Sequence, residues 1–271
     1  MSIAHEGFNA KRTYSQGASD YLEVMKRYWE YGPIETVKRA NLQPGARVVD
    51  FGCGPGPATI YAAQQVGPNG FVKGIDAVDE MLVIAREQAS KAGLNNIAFA
   101  CGDFDALEPG DESFDAVTCS FALFFAKHIG ETLRQMLTYL RPGGILSINT
   151  LGCHILAPLM PFFTATCQAE NPQMSTYMPW TRLTDADVLR TLLVNAGAVD
   201  VVVETESTLM QLTTPQGWWD IVHGSGLRHL EMELAPDARQ RVRTACEQWI
   251  ERHNIRSIRT DTNYALAVKP A

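Results

Sequence analysis

The chain lacks several things whose absence narrows its class. No apolar run approaches the roughly 20 residues that a membrane-spanning helix takes, so no membrane partner is expected. The six cysteines, at 53, 101, 119, 153, 167 and 246, make no C-x-x-C pair. Several fall inside apolar strand patterns, as buried reduced thiols do, and no metal is expected on them. The segment Met1 to Gly7 lacks the basic and then apolar stretches of a secretory leader, which with the reduced thiols points to the cytoplasm. An excess of positive charge is missing too: the formal net charge is −7, against the broad basic surface that nucleic-acid binding needs. What is present, 46% hydrophobic and 20% charged residues in a chain of 271, suits one large α/β domain or one domain with a sizeable insertion.

The most informative stretch runs from Val48 to Thr59. Arg47 to Phe51 reads as a buried strand, followed by a glycine turn and a helix that starts near Pro57. Glycine serves where the backbone needs a positive φ or must approach a ligand closely. Proline suits the first helical turn, where its missing N–H has no partner to lose. The helix N-terminus offers free N–H groups and partial positive charge, so the turn is built to hold a polar, partly anionic ligand end. A G-x-G-x-x-G dinucleotide fingerprint read from Gly52 puts its third glycine at Pro57, so that motif is absent. The pattern present is Asp50, Gly52, Gly54 and Gly56 at alternate positions, with Cys53 between. It resembles motif I of the class I S-adenosylmethionine (SAM) methyltransferases.

Later segments extend the resemblance. Strand Phe71 to Ile75 ends at Asp76, about twenty residues past the glycine turn, the span at which a βαβ unit returns a carboxylate to a ribose. The resemblance assigns Asp76 to the ribose hydroxyls, with Ala77 and Met81 beside it. Strand Ile97 to Cys101 gives Gly102, Asp103 and Phe104, which the resemblance places at the adenine amino group and ring. The plain alternative is a turn aspartate followed by a core phenylalanine. Phe114 to Ser120 reads as the fourth, central strand, with Ser120 and Phe121 at its carboxyl end. Tyr14 resembles part of an N-terminal segment that closes over SAM. Arg141-Pro142-Gly143-Gly144 reads as a tight turn before strand Ile145 to Thr150.

The nearest group by resemblance is the small-molecule methyltransferases similar to the ubiquinone- and menaquinone-biosynthesis enzymes. It implies a Rossmann-like α/β fold: a seven-stranded, mostly parallel sheet with helices on both faces. Residues 1–43 are expected as an N-terminal flap, with a helix from Ser19 or Asp20 carrying Tyr21, Leu22, Met25, Tyr28 and Trp29, broken at Gly32-Pro33. The segment before that helix is polar and expected to be mobile. Residues 44–271 are expected as the SAM-binding domain, with acceptor segments at 151–182, after the fifth strand, and at 207–256. The first of these is rich in Met and aromatic residues and reads equally as an acceptor cap or a homodimer contact.

Where many such enzymes carry two histidines after the fourth strand, this chain has Phe124 and Phe125. That suggests an apolar or aromatic acceptor, or chemistry without a strong base; core packing is the alternative. Met160, Phe163, Tyr177, Trp180, Trp218 and Trp219 complete the acceptor candidates, with Trp218 and Trp219 read equally as anchors of their subdomain. His154 and His223 are the placements for a general base, should the acceptor need to lose a proton. Tyr14 and Tyr177 are read as orienting groups. The expected activity is methyl transfer from SAM to a small, partly apolar or aromatic metabolite at O, N or C, leaving S-adenosylhomocysteine. The alternative is a SAM-binding fold member that does not methylate. A nucleic-acid or protein methyltransferase is disfavoured by the charge and by Ser120-Phe121-Ala122-Leu123 standing where an Asn-Pro-Pro-Tyr motif would be.

Overall fold

A computed structural model describes residues 8–108 and 114–271, apart from positions 25, 27 and 28. Three helices precede the sheet: α1 (Ala10–Gln16), α2 (Ala18–Val24) and α3 (Tyr31–Arg39). The segment expected to be mobile is thus helical in part. Asn9 caps α1, its side-chain oxygen accepting the Arg12 N–H at 2.9 Å. Of the expected helix through Trp29, α2 covers Ala18–Val24 and Lys26 and Trp29 are also helical, while Met25 and Tyr28 lie outside the described residues. Gly32 and Pro33 fall in the first turn of α3 instead of breaking a helix, because a proline there forfeits no hydrogen bond.

The sheet strands read as apolar runs because helices cover both faces. β1 (Arg47–Phe51) buries every residue after Arg47. The chain continues through α4 (Pro57–Val66), β2 (Phe71–Asp76), α5 (Asp79–Lys91) and β3 (Ile97–Cys101). It then returns to the other side of β1 as β4 (Phe114–Ser120), followed by α6 (Ile129–Tyr139) and β5 (Leu140–Leu151). Next come α7 (Leu159–Glu170), α8 (Ala186–Asn195), β6 (Val199–Glu206), β7 (Leu209–Gln211), α9 (Gln216–His223), α10 (Arg228–Met232), α11 (Pro236–Arg252), β8 (Ser257–Arg259) and β9 (Thr262–Val268). The seven-stranded order is β3-β2-β1-β4-β5-β9-β6, with β9 antiparallel to both neighbours. The expected Rossmann-like sheet is therefore present. Its order reverses between β1 and β4, where a doubly wound sheet opens a crevice at the carboxyl ends.

Arg141 to Gly144, expected as a turn before the strand, belong to β5 instead, where the register shifts. Phe114 pairs with Leu140 and Ala116 with Ile145, and Gly143 takes φ +74°. The ribbon of β7 and β8 has three residues in each strand, too few to show a period in sequence. Segments 151–182 and 207–256 pack on each other, with α7 against α11. Among the described residues no helix is long and apolar enough to cross a membrane.

Candidate functional site

The turn after β1 sets the site. Gly52, Gly54 and Gly56 take φ of +67°, +53° and +90°, a region that costs a residue with a Cβ about 1–2 kcal/mol. Gly52 is also short of room: a Cβ there would stand 2.3 Å from the Ala122 Cβ. At Gly54 an added Cβ would meet nothing within 4 Å, so the backbone borders open space. Gly56 caps α4, whose first residue is Pro57.

Asp76, at the end of β2, reaches back to this turn. Its Oδ2 accepts the Gly54 N–H at 2.8 Å and its Oδ1 accepts the Val78 N–H at 2.9 Å. Burial raises its pKa, and these N–H groups pull it back. Around the pair lies a cavity of about 320 Å³. Gly52, Gly54, Asp76, Ala77 and Met81 line it, as do Gly102, Asp103 and Phe104. Ser120, Phe121 and Phe125 come from the end of β4 and the loop after it. The N-terminal segment supplies Phe8, Lys11, Tyr14 and Tyr21.

Asp103 caps a helical turn by accepting the Asp105 N–H at 3.1 Å, and Lys11 Nζ stands 3.3 Å from its other oxygen. Burial holds the Tyr14 and Tyr21 hydroxyls protonated, their pKa far above the usual tyrosine value. Ser120 Oγ is buried with no hydrogen-bond partner. Buried polar atoms are nearly always paired, so this hydroxyl is a group in want of a ligand.

Three residues of the glycine motif stand behind the cavity. Asp50 is 1% exposed and accepts the hydroxyls of Thr59 at 2.6 Å and Thr118 at 2.7 Å. It thereby ties α4 to β1 and β4. Burial pushes its pKa up to about 6, against the two hydroxyls, which lower it. Cys53 is buried and its thiol pKa is raised by burial. Gly56 acts through the start of α4.

Most acceptor candidates are core. Phe124 is buried edge-on to Trp180, with ring centroids 6.4 Å apart. Phe163 packs edge-on to Trp218 and Trp219 at 5.6 and 5.9 Å, and all three are buried. Met160 packs against the same core. Tyr177 is half-buried and lines neither this cavity nor the second one described below. Phe125 alone among these candidates borders the cavity.

The two histidines also stand elsewhere. His154 Nδ1 lies 3.1 Å from Asp261 Oδ2 and 3.4 Å from Cys153 Sγ. These three side chains converge within 4.8 Å, but Arg259 already meets both oxygens of Asp261, at 3.1 and 3.0 Å. His223 Nε2 faces Glu231 at 2.9 Å.

Two site residues carried no signal in the sequence. Arg182 donates to the backbone carbonyls of Phe124, Ala126 and Lys127, at 3.3, 2.6 and 3.1 Å, and so holds the loop after β4. Asn149 accepts the Phe121 N–H at 2.7 Å. Each lies 28 or more positions from its partner, beyond any local pattern.

Comparison with known proteins finds methyltransferases. A family model described as a methyltransferase domain matches residues 42–214. A demethylmenaquinone methyltransferase of Listeria monocytogenes is 37% identical over 113 residues, 42% of this chain and 48% of the relative. The chain spans about half the length of the relatives it matches. The fold resembles Haemonchus contortus phosphoethanolamine N-methyltransferase 2, solved with phosphomonomethylethanolamine and S-adenosylhomocysteine. That likeness has a TM-score of 0.60 at 19% identity, over 96% of this chain and 59% of that one. It equally resembles the 4+2 cyclase SpnF, with a TM-score of 0.60 at 19% identity over 96% and 95% of the two chains.

Proposed function

This chain belongs to the methyltransferase domain family, and we propose that it transfers a methyl group from SAM to a small, partly apolar or aromatic metabolite, releasing S-adenosylhomocysteine. The observation that carries the reading is Asp76 bonded to Gly54 on the edge of an open cavity. A buried carboxylate there is an acceptor for ribose hydroxyls. Asp103 and Phe104 would meet the adenine, and the glycine turn with the unpaired Ser120 hydroxyl would meet the polar amino-acid end. Ala77, Met81, Gly102, Phe121 and Tyr14 border the same space.

SAM, when bound, supplies an electrophilic methyl on a positively charged sulfur. The work left to the protein is to place the acceptor and exclude water. The geometry supports neither His154 nor His223 as a base, since neither borders the cavity. Tyr14 offers a neutral hydroxyl for orienting an acceptor. The Listeria relative is named for demethylmenaquinone, which favours an apolar ring acceptor here as well. The net charge of −7 weighs against a nucleic-acid partner, and six free cysteines suit the cytoplasm. For a homodimer, the support is exposed apolar surface at the sheet edge: Val199 and Val202 on β6, beside Val188 and Val194 on α8. Sedimentation velocity reads it.

The shared fold of the SpnF cyclase makes product formation the deciding test. The chain incubated with SAM and a panel of phenols, amines and ring ketones should release S-adenosylhomocysteine with at least one of them. SAM binding without release across such a panel would favour a non-methylating member of the fold.

A further inference from the structure

A second cavity, of about 500 Å³, opens beyond Phe121. Trp29, Tyr31, Gly32 and Tyr264 line it with Phe121, and β7 closes it. Phe121 borders both cavities and is the wall between them. Its backbone holds φ +50°, a conformation rare for a bulky side chain and one that concentrates at functional sites. Trp29 stands edge-on to its ring at 6.2 Å. Gly32 leaves the ring its place: a Cβ there would lie 2.4 Å from Phe121 Cε2 and 3.1 Å from Asn149 Nδ2.

Asn149 is fully buried. Its Oδ1 is used by the Phe121 N–H, yet its Nδ2 has no hydrogen-bond partner. A buried amide donor left unpaired is costly and uncommon. This one lies beside Gly32 and the Phe121 ring, and with that ring in place it borders neither cavity. Glu206, the acid on the second cavity, is already paired with Arg39, whose guanidinium lies 4.3 Å over the Tyr264 ring. A cationic acceptor therefore finds no free carboxylate there, and an oxygen acceptor finds a free donor.

We infer that the second cavity binds the methyl acceptor, that this acceptor is an apolar ring bearing a hydrogen-bond-accepting oxygen, and that Asn149 Nδ2 positions that oxygen once the Phe121 ring swings aside. The inference rests on the methyl-transfer reading for the word acceptor, but the cavity and its donor are tested independently of turnover. Flat aromatic walls select the ring, and the Asn149 donor, added to the Thr and Tyr hydroxyls that line the cavity, fixes its rotation. Asn149 is a positioning residue here; it moves no proton.

The test uses the whole chain saturated with S-adenosylhomocysteine and titrated by calorimetry with 1-tetralone, a two-ring ketone whose oxygen only accepts. Tetralin, which lacks the oxygen, is the control. Asn149→Asp keeps the acceptor for the Phe121 N–H and deletes the donor. It should weaken 1-tetralone about tenfold and leave tetralin unchanged, with S-adenosylhomocysteine affinity kept as evidence of folding. Gln211→Trp fills the cavity from its exposed rim and should weaken both ligands about tenfold; it serves if the Asn149 variant does not fold. Unchanged 1-tetralone binding in either variant that still folds, or none to the wild type at about 1 mM, overturns the assignment. Should S-adenosylhomocysteine itself fail to bind, the methyltransferase reading falls, while the response of 1-tetralone to Gln211→Trp still decides the cavity.

Discussion

Gly54 donates its backbone N–H to Asp76 Oδ2 at 2.8 Å, so the residue that ends β2 also holds the turn that ends β1. The two strands are neighbours in the sheet, with Phe51 in register with Ile75. The glycine turn and the proposed ribose acid are therefore one unit, and a change in either is felt by both.

The glycines of the turn should respond differently. Gly52→Ala meets the Ala122 Cβ as well as an unfavourable φ, whereas Gly54→Ala meets only the φ. Chemical denaturation should show a loss of ~1–2 kcal/mol for Gly54→Ala and a clearly larger one for Gly52→Ala. SAM affinity should still fall in the Gly54 variant, because the added methyl enters the space where the ligand approaches the backbone. Equal stability losses would contradict this account of the turn.

Asp50 gives the fold a pH dependence of defined sign. Its pKa is about 6 in the folded chain, against an ordinary value of 3.8. Between those pH values the folded chain keeps a proton that the unfolded chain has lost. This stabilisation is complete below about pH 4 and is lost as pH rises through about 6. The stability of the wild type relative to Asp50→Asn should therefore rise by ~2 kcal/mol from pH 7 to pH 4. Urea melts of both proteins at several pH values measure it. A flat difference would mean that Asp50 is not held in a desolvated site.

Trp219→Ala should behave as a core truncation. With Trp219 2% exposed and packed on Phe163, the loss should reach ~3–5 kcal/mol, with S-adenosylhomocysteine affinity retained in the folded fraction. A small stability loss joined to weaker acceptor binding would return this residue to the pocket.

Arg182→Lys should loosen the loop after β4, because one ammonium cannot replace a guanidinium that serves three carbonyls. Amide exchange at Ala126 to His128 should quicken in this variant while that of β1 stays as it was. Unchanged exchange would leave Arg182 without a role in the site.

Where a segment's environment is simple, its sequence was easy to read. Ile97 to Cys101 and Phe114 to Ser120 are strands over the expected residues, since each is an apolar run between turn signals. The cavity lining at Gly52, Asp76 and Asp103 follows from topology, because strand ends on one side of a switch point must converge. Residues of the acceptor side were harder. Trp218, Trp219 and Phe163 carry the same composition signal whether they line a pocket or fill a core, and only packing separates the two. Asn149 looks like a polar residue inside a strand, and its unpaired amide emerges only when Phe121 and Gly32 are brought against it. The helix at Ala10–Gln16 was hidden for a related reason: its stability comes from docking, with Ser15 bonded to Glu80 of α5 at 2.6 Å, more than from its own polar sequence.

The most direct test of the central claim is calorimetric titration of the wild type and Asp76→Ala with SAM and with S-adenosylhomocysteine. The account predicts that both ligands bind the wild type and that both lose ~1–3 kcal/mol in the variant, since the ribose hydroxyls and the Gly54 N–H lose one acceptor together. Wild-type affinity in Asp76→Ala would remove this carboxylate from the site, and no binding to the wild type would contradict the methyltransferase reading itself.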